Sequence, residues 1–279
     1  MATVYDEPDY EPQVPTIGAG GVPTVTRRLL WINISIGIAC LLLGSIGATE
    51  GAIEWTYRWF GLNVGKWTEL FPLMPVWQLA SYGFLHDTNS PLHLFFNMLG
   101  LYFFGGMLEP LIGRRRFGIF YLAAVILPAC AQLVFSVAIG QPMFVVGASG
   151  AIMFLVVALA TLRPHTRMIF ILVPMKLWVL AVIYVAFDLF GLLQARDNVA
   201  HLIHLVGALF GFAAVQLGWL YFDPLGVWRT RKAMRQVEDV RSDEQKLDAL
   251  LERIHREGIG ALTKSEREFL KRMSARRGG

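Results

Sequence analysis

The sequence predicts an all-α membrane protein, a polytopic bundle of six transmembrane helices with a small cytoplasmic helical tail. Of its 279 residues, 55% are hydrophobic and only 16% are charged, whereas about a quarter of the residues of an average soluble domain are charged. Several apolar runs also approach the roughly 20 residues that a helix needs to cross a bilayer. Both observations argue against a water-soluble enzyme.

Six apolar runs are the candidate transmembrane helices, and nearby basic residues orient them. Lys and Arg cluster before the first run, between the second and third, between the fourth and fifth, and after the sixth. Because cytoplasmic loops carry an excess of Lys and Arg, both termini are predicted to be cytoplasmic, which requires an even number of spans. The runs lie approximately at residues 29–48, 92–109, 117–140, 149–163, 168–193 and 199–222.

The positions of the runs predict three domains. A polar cytoplasmic segment at residues 1–26 precedes a six-helix domain at residues 27–223. The first segment lacks the pattern of a cleavable signal peptide, so the first span is expected to act as an uncleaved anchor. Residues 224–279 form a basic cytoplasmic tail, in which an apolar stripe and a capping-box pattern from Thr263 to Glu266 predict two short amphipathic helices.

The net charge of +4 does not point to a nucleic-acid partner. Residues 227–279 contain 14 Lys and Arg against 9 Asp and Glu, so the positive charge is confined to the tail. Basic residues beside a membrane usually reflect topology or contact with anionic lipid. The expected surroundings are therefore a lipid bilayer and no nucleic acid, while the partner of the tail stays unknown. Cys40 and Cys130 lie in apolar runs without metal-binding spacing and are interpreted as small core residues.

Polar side chains inside the apolar runs are the candidate functional residues, because such groups are costly at membrane depth. Ser149 begins the fourth run within a stretch of small residues, which most commonly serves close helix packing. A serine at a helix start also lies beside free backbone N–H groups that suit an oxyanion. His201 and His204 in the sixth run are candidate bases, although a lone histidine in a bundle is more often a packing partner.

Two glycines after His204 favour a catalytic interpretation. Gly207 and Gly211 give the histidine side of the helix a smooth face that a neighbouring backbone can approach closely. If that neighbour is the fourth span, His204 could take the proton of the Ser149 hydroxyl. His201 lies almost one turn away and remains a rival base.

His93 and Asn97 in the second run share one helix face and could both donate to a developing negative oxygen. Counted at about 1.5 Å per residue from the cytoplasmic helix ends, Ser149 and His204 lie roughly 21 and 22 Å deep. On the same count, His93 and Asn97 lie roughly 24 and 18 Å deep. All four are therefore predicted in the outer half of a core about 30 Å thick.

Three motifs follow one another on the second, fourth and sixth runs. They are H-x-x-x-N (His93, Asn97), G-x-S-G (Gly147, Ser149, Gly150) and A-H-x-x-H-x-x-G-x-x-x-G (Ala200, His201, His204, Gly207, Gly211). Over about residues 27–223 the chain resembles the rhomboid family of intramembrane serine proteases. Supporting pieces are FLH at Phe84–His86, GGMLEPLIG at Gly105–Gly113 and FDLFG at Phe187–Gly191.

The resemblance implies a Ser149 nucleophile and a His204 general base, in a dyad without an obligatory carboxylate. It implies an oxyanion hole made by His93, Asn97 and the Ser149 backbone N–H, and no cofactor or metal. The substrates would be transmembrane segments of single-pass or other membrane proteins. The expected location is a prokaryotic plasma membrane, with several spans. Supporting residues would be Gly147, Gly150, His201, Gly207 and Gly211.

The chain departs from the family pattern at two positions. Residues 49–90, which are rich in tryptophan and predicted to lie along the outer interface, contain Trp77-Gln78 where the family has a tryptophan-arginine motif. Met153 stands where an aromatic residue often stacks on the base. Asp188 is a carboxylate flanked by apolar residues of the fifth run, and we expect it to make a structural hydrogen bond near the outer end rather than to act in catalysis.

Three other functions fit the sequence less well. A catalytically silent relative that binds transmembrane helices conflicts with the presence of both Ser149 and His204. A metal-dependent intramembrane enzyme could use histidines, but the sequence shows no helical H-E-x-x-H motif and no well-placed carboxylate ligand. A transporter is disfavoured because the sequence has no inverted repeat. The histidines available to a metal would be His86, His93, His201 and His204.

Overall fold

The computed structural model describes residues 21–45, 50–170, 173–194, 198–221, 246–258, 260 and 262–277. The contacts divide the chain into two compact units, Met1–Tyr221 and Phe222–Gly279. The helices of the first unit are α1 Thr24–Ser45, α2 Glu50–Phe60, α3 Val64–Glu69, α4 Gln78–Ser81, α5 Pro91–Gly100, α6 Gly106–Ile112, α7 Arg114–Ala138, α8 Ser149–Leu162, α9 Leu177–Leu193 and α10 Asn198–Gln216.

Short elements complete the first unit. A π-helical segment, Leu101–Gly105, joins α5 to α6, and 3₁₀ helices occur at Tyr82–Phe84 and Trp219–Tyr221. In the described part of this unit, four strands form two antiparallel pairs, β1 with β2 and β3 with β4. They are β1 Leu62–Asn63, β2 Phe144–Val145, β3 Arg167–Phe170 and β4 Val173–Lys176.

The helices confirm a polytopic helical bundle. Three stretches among the described residues are long and apolar enough to cross a membrane: Thr24–Gly44, Pro91–Ile112 and Arg114–Ala138. Three further apolar helices are shorter, at Ser149–Leu162, Leu177–Leu193 and His201–Gln216. They correspond in order to the six apolar runs, and the number of six spans stays a prediction.

The predicted fifth helix was wrong over its first part. Residues 168–170 belong to β3 and residues 173–176 to β4, in which Met168 pairs with Met175, and the helix begins only at Leu177. Met168 packs against the core whereas Ile169 is exposed, which is the alternation of a strand. The apolar content of a run does not by itself distinguish a strand from a helix, and this run contains both.

Helix α8 is the centre of the bundle. Ten of its fourteen residues are buried, and it packs against α7, α9 and α10. The Phe154 ring of α8 stacks on Phe120 of α7 and on Phe210 of α10, with centroid distances of 6.2 and 5.0 Å. A helix that is apolar on all sides is typical of such a buried position.

Helices α8 and α10 approach each other backbone to backbone. A Cβ added to Gly207 would lie 2.1 Å from the carbonyl oxygen of Gly150, and one added to Gly211 would lie 2.6 Å from the carbonyl oxygen of Phe154. No side chain fits at these distances without displacement of one helix. The neighbour of the glycine face of α10 is therefore the helix that begins with Ser149.

Glu109 links α6 to the start of α1 through hydrogen bonds. Its carboxylate is 1% exposed and accepts hydrogen bonds from the backbone N–H groups of Val25 and Thr26, at 3.0 and 2.7 Å, and from the Thr26 hydroxyl at 2.9 Å. The N–H groups of a first helical turn lack partners within the helix and favour a negative charge. The carboxylate thus meets both requirements of this helix end.

We expect Glu109→Gln to destabilise the bundle. Glutamine keeps the size of the side chain but removes the charge, so the unfolding free energy should fall by about 2 kcal/mol. Thermal unfolding in detergent, followed by circular dichroism, measures the change. The control is Glu54→Gln, because Glu54 is an exposed carboxylate of α2. Equal unfolding midpoints for the two variants would contradict the prediction.

Gln78 ties together the connection between α1 and α5. Its side chain is fully buried, and its Oε1 accepts from the Asn63 N–H at 3.1 Å and from Trp67 Nε1 at 3.2 Å. Its Nε2 donates to the carbonyl oxygens of Arg58 and Trp59 at 3.1 and 3.2 Å. Every hydrogen-bonding position of the amide is used. At the position where the family pattern has arginine, a neutral side chain therefore anchors this connection.

The described residues of the second unit contain two helices, α11 at residues 246–257 and α12 Lys264–Arg277. The Thr263 N–H donates to Glu266 Oε2 at 2.7 Å, and the Glu266 N–H donates to the Thr263 hydroxyl at 3.3 Å. These reciprocal bonds confirm the capping box. The hydrogen bond from the Thr263 backbone holds the pKa of Glu266 below its ordinary value. A small apolar cluster packs the two helices: Leu247, Leu250, Leu262 and Phe269.

Candidate active site

A cavity of 560 Å³ lies between α5, α8, α9 and α10. Apolar side chains make up much of its wall, among them Phe96, Ile152 and Phe187. The polar residues singled out from the sequence all reach this one cavity, although they come from three different helices. They are His93, Asn97, Ser149, His201 and His204.

Ser149 is the first residue of α8, and the residue before it, Ala148, provides no side-chain cap. The N–H groups of the first helical turn are therefore without a side-chain acceptor, at the end of the helix where the dipole is positive. Gly147 precedes them with a φ of +127°, a conformation that favours glycine because it has no Cβ. The N–H groups and the positive helix end at this position can therefore bind a negative oxygen.

His93 lies directly against this turn. A Cβ added to Gly147 would lie 2.9 Å from His93 Nε2 and 3.8 Å from Ser149 Oγ, so the imidazole occupies the space that a side chain at residue 147 would need. Asn97 donates from Nδ2 to the His93 carbonyl oxygen at 3.0 Å, which leaves the second hydrogen of the amide for another acceptor. Both side chains offer donors on the cavity side of α5.

His86 packs against His93 from the connection that precedes α5. The two rings meet edge to face with a centroid distance of 5.3 Å, and His86 is buried. Burial, with a smaller contribution from nearby His93, lowers the pKa of His86 to about 4. His86 is therefore neutral near pH 7 and supports the position of the His93 ring without adding a charge.

Asp188 of α9 joins the two histidines of α10. Its Oδ1 lies 2.8 Å from His201 Nδ1 and 2.9 Å from His204 Nδ1. The sequence predicted a structural hydrogen bond for Asp188 but did not predict these partners. The signal that could have found them is the position of Asp188 near the outer end of the fifth apolar run, at a depth similar to that of the histidines.

Ser149 and His204 both lie in the described part of the chain, and no direct hydrogen bond joins the serine hydroxyl to the imidazole. Both side chains nevertheless line the same cavity. Catalytic hydrogen bonds are often long before substrate binds and tighten in the substrate complex. The cavity therefore brings together a hydroxyl, an imidazole and a set of N–H donors.

Asp188, His201 and His204 are also a possible set of metal ligands. One ligand atom from each lies within 4.8 Å of the others, and two histidines with one carboxylate are a known zinc-binding combination. The argument from sequence that no carboxylate is well placed for a metal was therefore wrong. The sequence argument missed Asp188 as a possible ligand because the carboxylate and the histidines lie on different helices.

Met153 lies in α8, one turn after Ser149, and also lines the cavity. Its side chain is 4% exposed. A flexible thioether fills irregular space but has no aromatic face for stacking. No aromatic ring is therefore available at this position to stack on His204, whose Nδ1 lies 2.9 Å from Asp188 Oδ1.

Comparison with known proteins gives two family matches. Residues 73–222 match the rhomboid domain, and residues 234–276 match a family of unknown function, DUF6576. The first match covers more than half of the chain and includes Ser149 and His204.

Individual relatives agree with the first match. Presenilin-associated rhomboid-like protein A, mitochondrial, of Danio rerio is 28% identical over 180 residues, which cover 63% of this chain and 44% of the relative. The mitochondrial presenilin-associated rhomboid-like protein of Homo sapiens is 32% identical over 143 residues, or 49% and 38%. Rhomboid protease GluP of Bacillus subtilis (strain 168) is 34% identical over 219 residues, or 78% and 40%. The chain thus spans less than half the length of these relatives.

Proposed function

Because the chain belongs to the rhomboid family, we propose that it is an intramembrane serine endopeptidase. It hydrolyses peptide bonds in or near transmembrane segments of other membrane proteins. The observation that carries the proposal is the single cavity lined by Ser149, His204, His93 and Asn97. A nucleophile, a base and oxyanion donors are the groups that acyl transfer needs.

The proposed reaction begins with attack of Ser149 Oγ on the substrate carbonyl carbon. His204 Nε2 takes the hydroxyl proton, and the carbonyl oxygen gains a negative charge. His93, Asn97 and the Ser149 N–H donate to that oxygen. His204 then gives its proton to the leaving amine, and water hydrolyses the acyl-enzyme by the same steps to release the carboxylate product.

The proposed substrates are helices that unwind locally. A peptide bond inside a helix is protected by backbone hydrogen bonds, and in lipid each unmade bond costs several kcal/mol. Glycine and proline weaken a helix, so segments that contain them reach the cavity more readily. The apolar side chains of the cavity wall suit the unwound part of such a segment.

The protein is a membrane protein. The relatives include mitochondrial proteins as well as a bacterial one, so the comparisons do not support the narrower prediction of a prokaryotic plasma membrane. The cytoplasmic position of both termini stays a prediction from charge.

The test uses purified full-length protein in detergent or lipid vesicles. A fluorophosphonate should label Ser149 covalently, and the protein should cleave a model transmembrane substrate at a rate that a chelator leaves unchanged. Labelling is located by mass spectrometry of the modified peptide. Absence of both labelling and cleavage would favour the catalytically silent alternative. Loss of cleavage with the chelator would favour a metal enzyme that uses Asp188, His201 and His204.

A further inference from the structure

We infer that Asp188 is the positioning carboxylate of this site and that it selects His204, rather than His201, as the base. The inference rests on the proposed function, because it assigns a role within the same reaction. Asp188 acts through His204 and does not touch the reacting atoms. The sequence had left the choice between the two histidines open.

The Asp188 carboxylate is buried and lies close to both histidines of α10. The Asp188 side chain is 3% exposed, and its Oδ1 lies 2.8 Å from His201 Nδ1 and 2.9 Å from His204 Nδ1. These distances are those of charge-assisted hydrogen bonds. A buried carboxylate without such partners would be costly, so the two imidazoles and the carboxylate support one another.

The contact with Asp188 determines which nitrogen of His204 carries the hydrogen. An ionised carboxylate only accepts hydrogen bonds, and a neutral imidazole has one N–H and one acceptor nitrogen. Since His204 Nδ1 faces Asp188, it carries the hydrogen, and Nε2 keeps its lone pair. That nitrogen is the atom that must accept the proton of Ser149. Without Asp188, the ring is free to carry its hydrogen on Nε2. In that tautomer Nε2 has no lone pair to accept a proton and is not a base.

The surroundings of His201 and His204 differ, and they give the two histidines different roles. A Cβ added to Gly191 of α9 would lie 2.1 Å from His201 Nε2 and 2.4 Å from His201 Cε1. The Nε2 edge of His201 therefore rests on the α9 backbone, while Ser149 lies on α8. Both histidines line the cavity, but His204 lies one turn before Gly207, the residue of α10 that meets the α8 backbone at Gly150. His204 is thus the base, and His201 is a second donor that holds Asp188 in place.

Asp188 also lies next to the positive charge that develops on His204 during the reaction. His204 becomes an imidazolium when it takes the proton, and a negative carboxylate beside Nδ1 stabilises this cation. The stabilisation arises in the transition state and not in substrate binding. An interaction of that kind raises kcat and leaves KM almost unchanged.

The decisive variant is Asp188→Asn, which keeps the shape and one carbonyl acceptor but removes the charge. We expect kcat for a transmembrane substrate to fall by about 100-fold or more, with KM changed by less than about twofold. The rate of fluorophosphonate labelling of Ser149 should fall with kcat, because the serine is activated by the same base. Glu109→Gln is the matched control, since it removes another buried carboxylate charge, whose hydrogen bonds go to the start of α1. It should lower stability while kcat of the folded protein stays at the wild-type value.

The outcomes are distinguishable. Wild-type protein that neither cleaves nor reacts with the fluorophosphonate would overturn the proposed function itself. If the wild-type protein is active and kcat is unchanged in Asp188→Asn, the role of Asp188 is structural only. That result would overturn this inference but not the proposed function. A measurement on the wild type is independent of how the variant folds: ¹⁵N spectra of labelled histidine should show His204 with its hydrogen on Nδ1. A hydrogen on Nε2 would likewise overturn the inference.

Discussion

Ser149→Ala should abolish cleavage of a transmembrane substrate, with kcat at least about 10⁴-fold below that of the wild type. The substitution removes one oxygen atom, the proposed nucleophile, and leaves the start of α8 and its N–H groups in place. Binding of substrate should persist, because the rest of the cavity is unchanged. Cleavage is followed on gels with a reconstituted substrate, and fluorophosphonate labelling of the same preparation should disappear.

A second serine makes this test specific. Ser90 also contributes to the cavity wall, but it precedes α5 and is not part of the turn that His93 contacts. Ser90→Ala should therefore cleave at the wild-type rate. Loss of activity in Ser90→Ala with retention in Ser149→Ala would show that the wrong hydroxyl has been assigned. Equal thermal unfolding of both variants excludes an effect of folding.

Gly207→Ala should have the largest effect on the structure of the bundle. The new methyl group would lie 2.1 Å from the Gly150 carbonyl oxygen, which is backbone and has no rotamer to change. Overpacking of this kind costs about 3 kcal/mol of unfolding free energy. Because α10 carries His204 and α8 carries Ser149, forcing these helices apart should also lower kcat by about 100-fold, as expected for a misplacement of roughly 1 Å.

Another glycine of the bundle provides the control. A Cβ added to Gly118 of α7 would lie 3.8 Å from Val25 Cγ1, which is an ordinary contact, and alanine is the better helix former. Gly118→Ala should be as stable as the wild type or more so, with full activity. Thermal unfolding and cleavage assays of the two alanine variants side by side make the comparison. Wild-type stability in Gly207→Ala would contradict the close approach of α8 and α10.

Much of the fold could be predicted because the signals are local. The apolar runs predicted α1, α7, α8 and α10, and the capping-box pattern predicted the start of α12 at Thr263. Residues 168–176 defeated the same reasoning, since an apolar run fits a strand as well as a helix. The tertiary context decided the matter, because the alternate residue Met168 packs on the core.

The candidate site could be predicted in its members but not in its connections. Ser149, His204, His93 and Asn97 stand out as polar residues in apolar runs, and their catalytic roles stay predictions. The sequence did not predict the bond from His204 to Asp188, because residues 16 apart in sequence lie on separate helices and a similar depth alone does not show that their side chains meet. Helical periodicity says which residues share a face and says nothing of which face a neighbouring helix meets.

The sequence by itself determined that this chain is a helical membrane protein of the rhomboid family. Run length, charge distribution and motif order are properties of the chain alone, so they need no fold to be read. Only the tertiary structure decided that Gly207 meets Gly150 and that Asp188 serves two histidines with one oxygen. These features depend on how the helices rotate and cross, which is set by packing between distant parts of the chain. The proposed choice of His204 over His201 therefore depends on the fold and not on the sequence pattern.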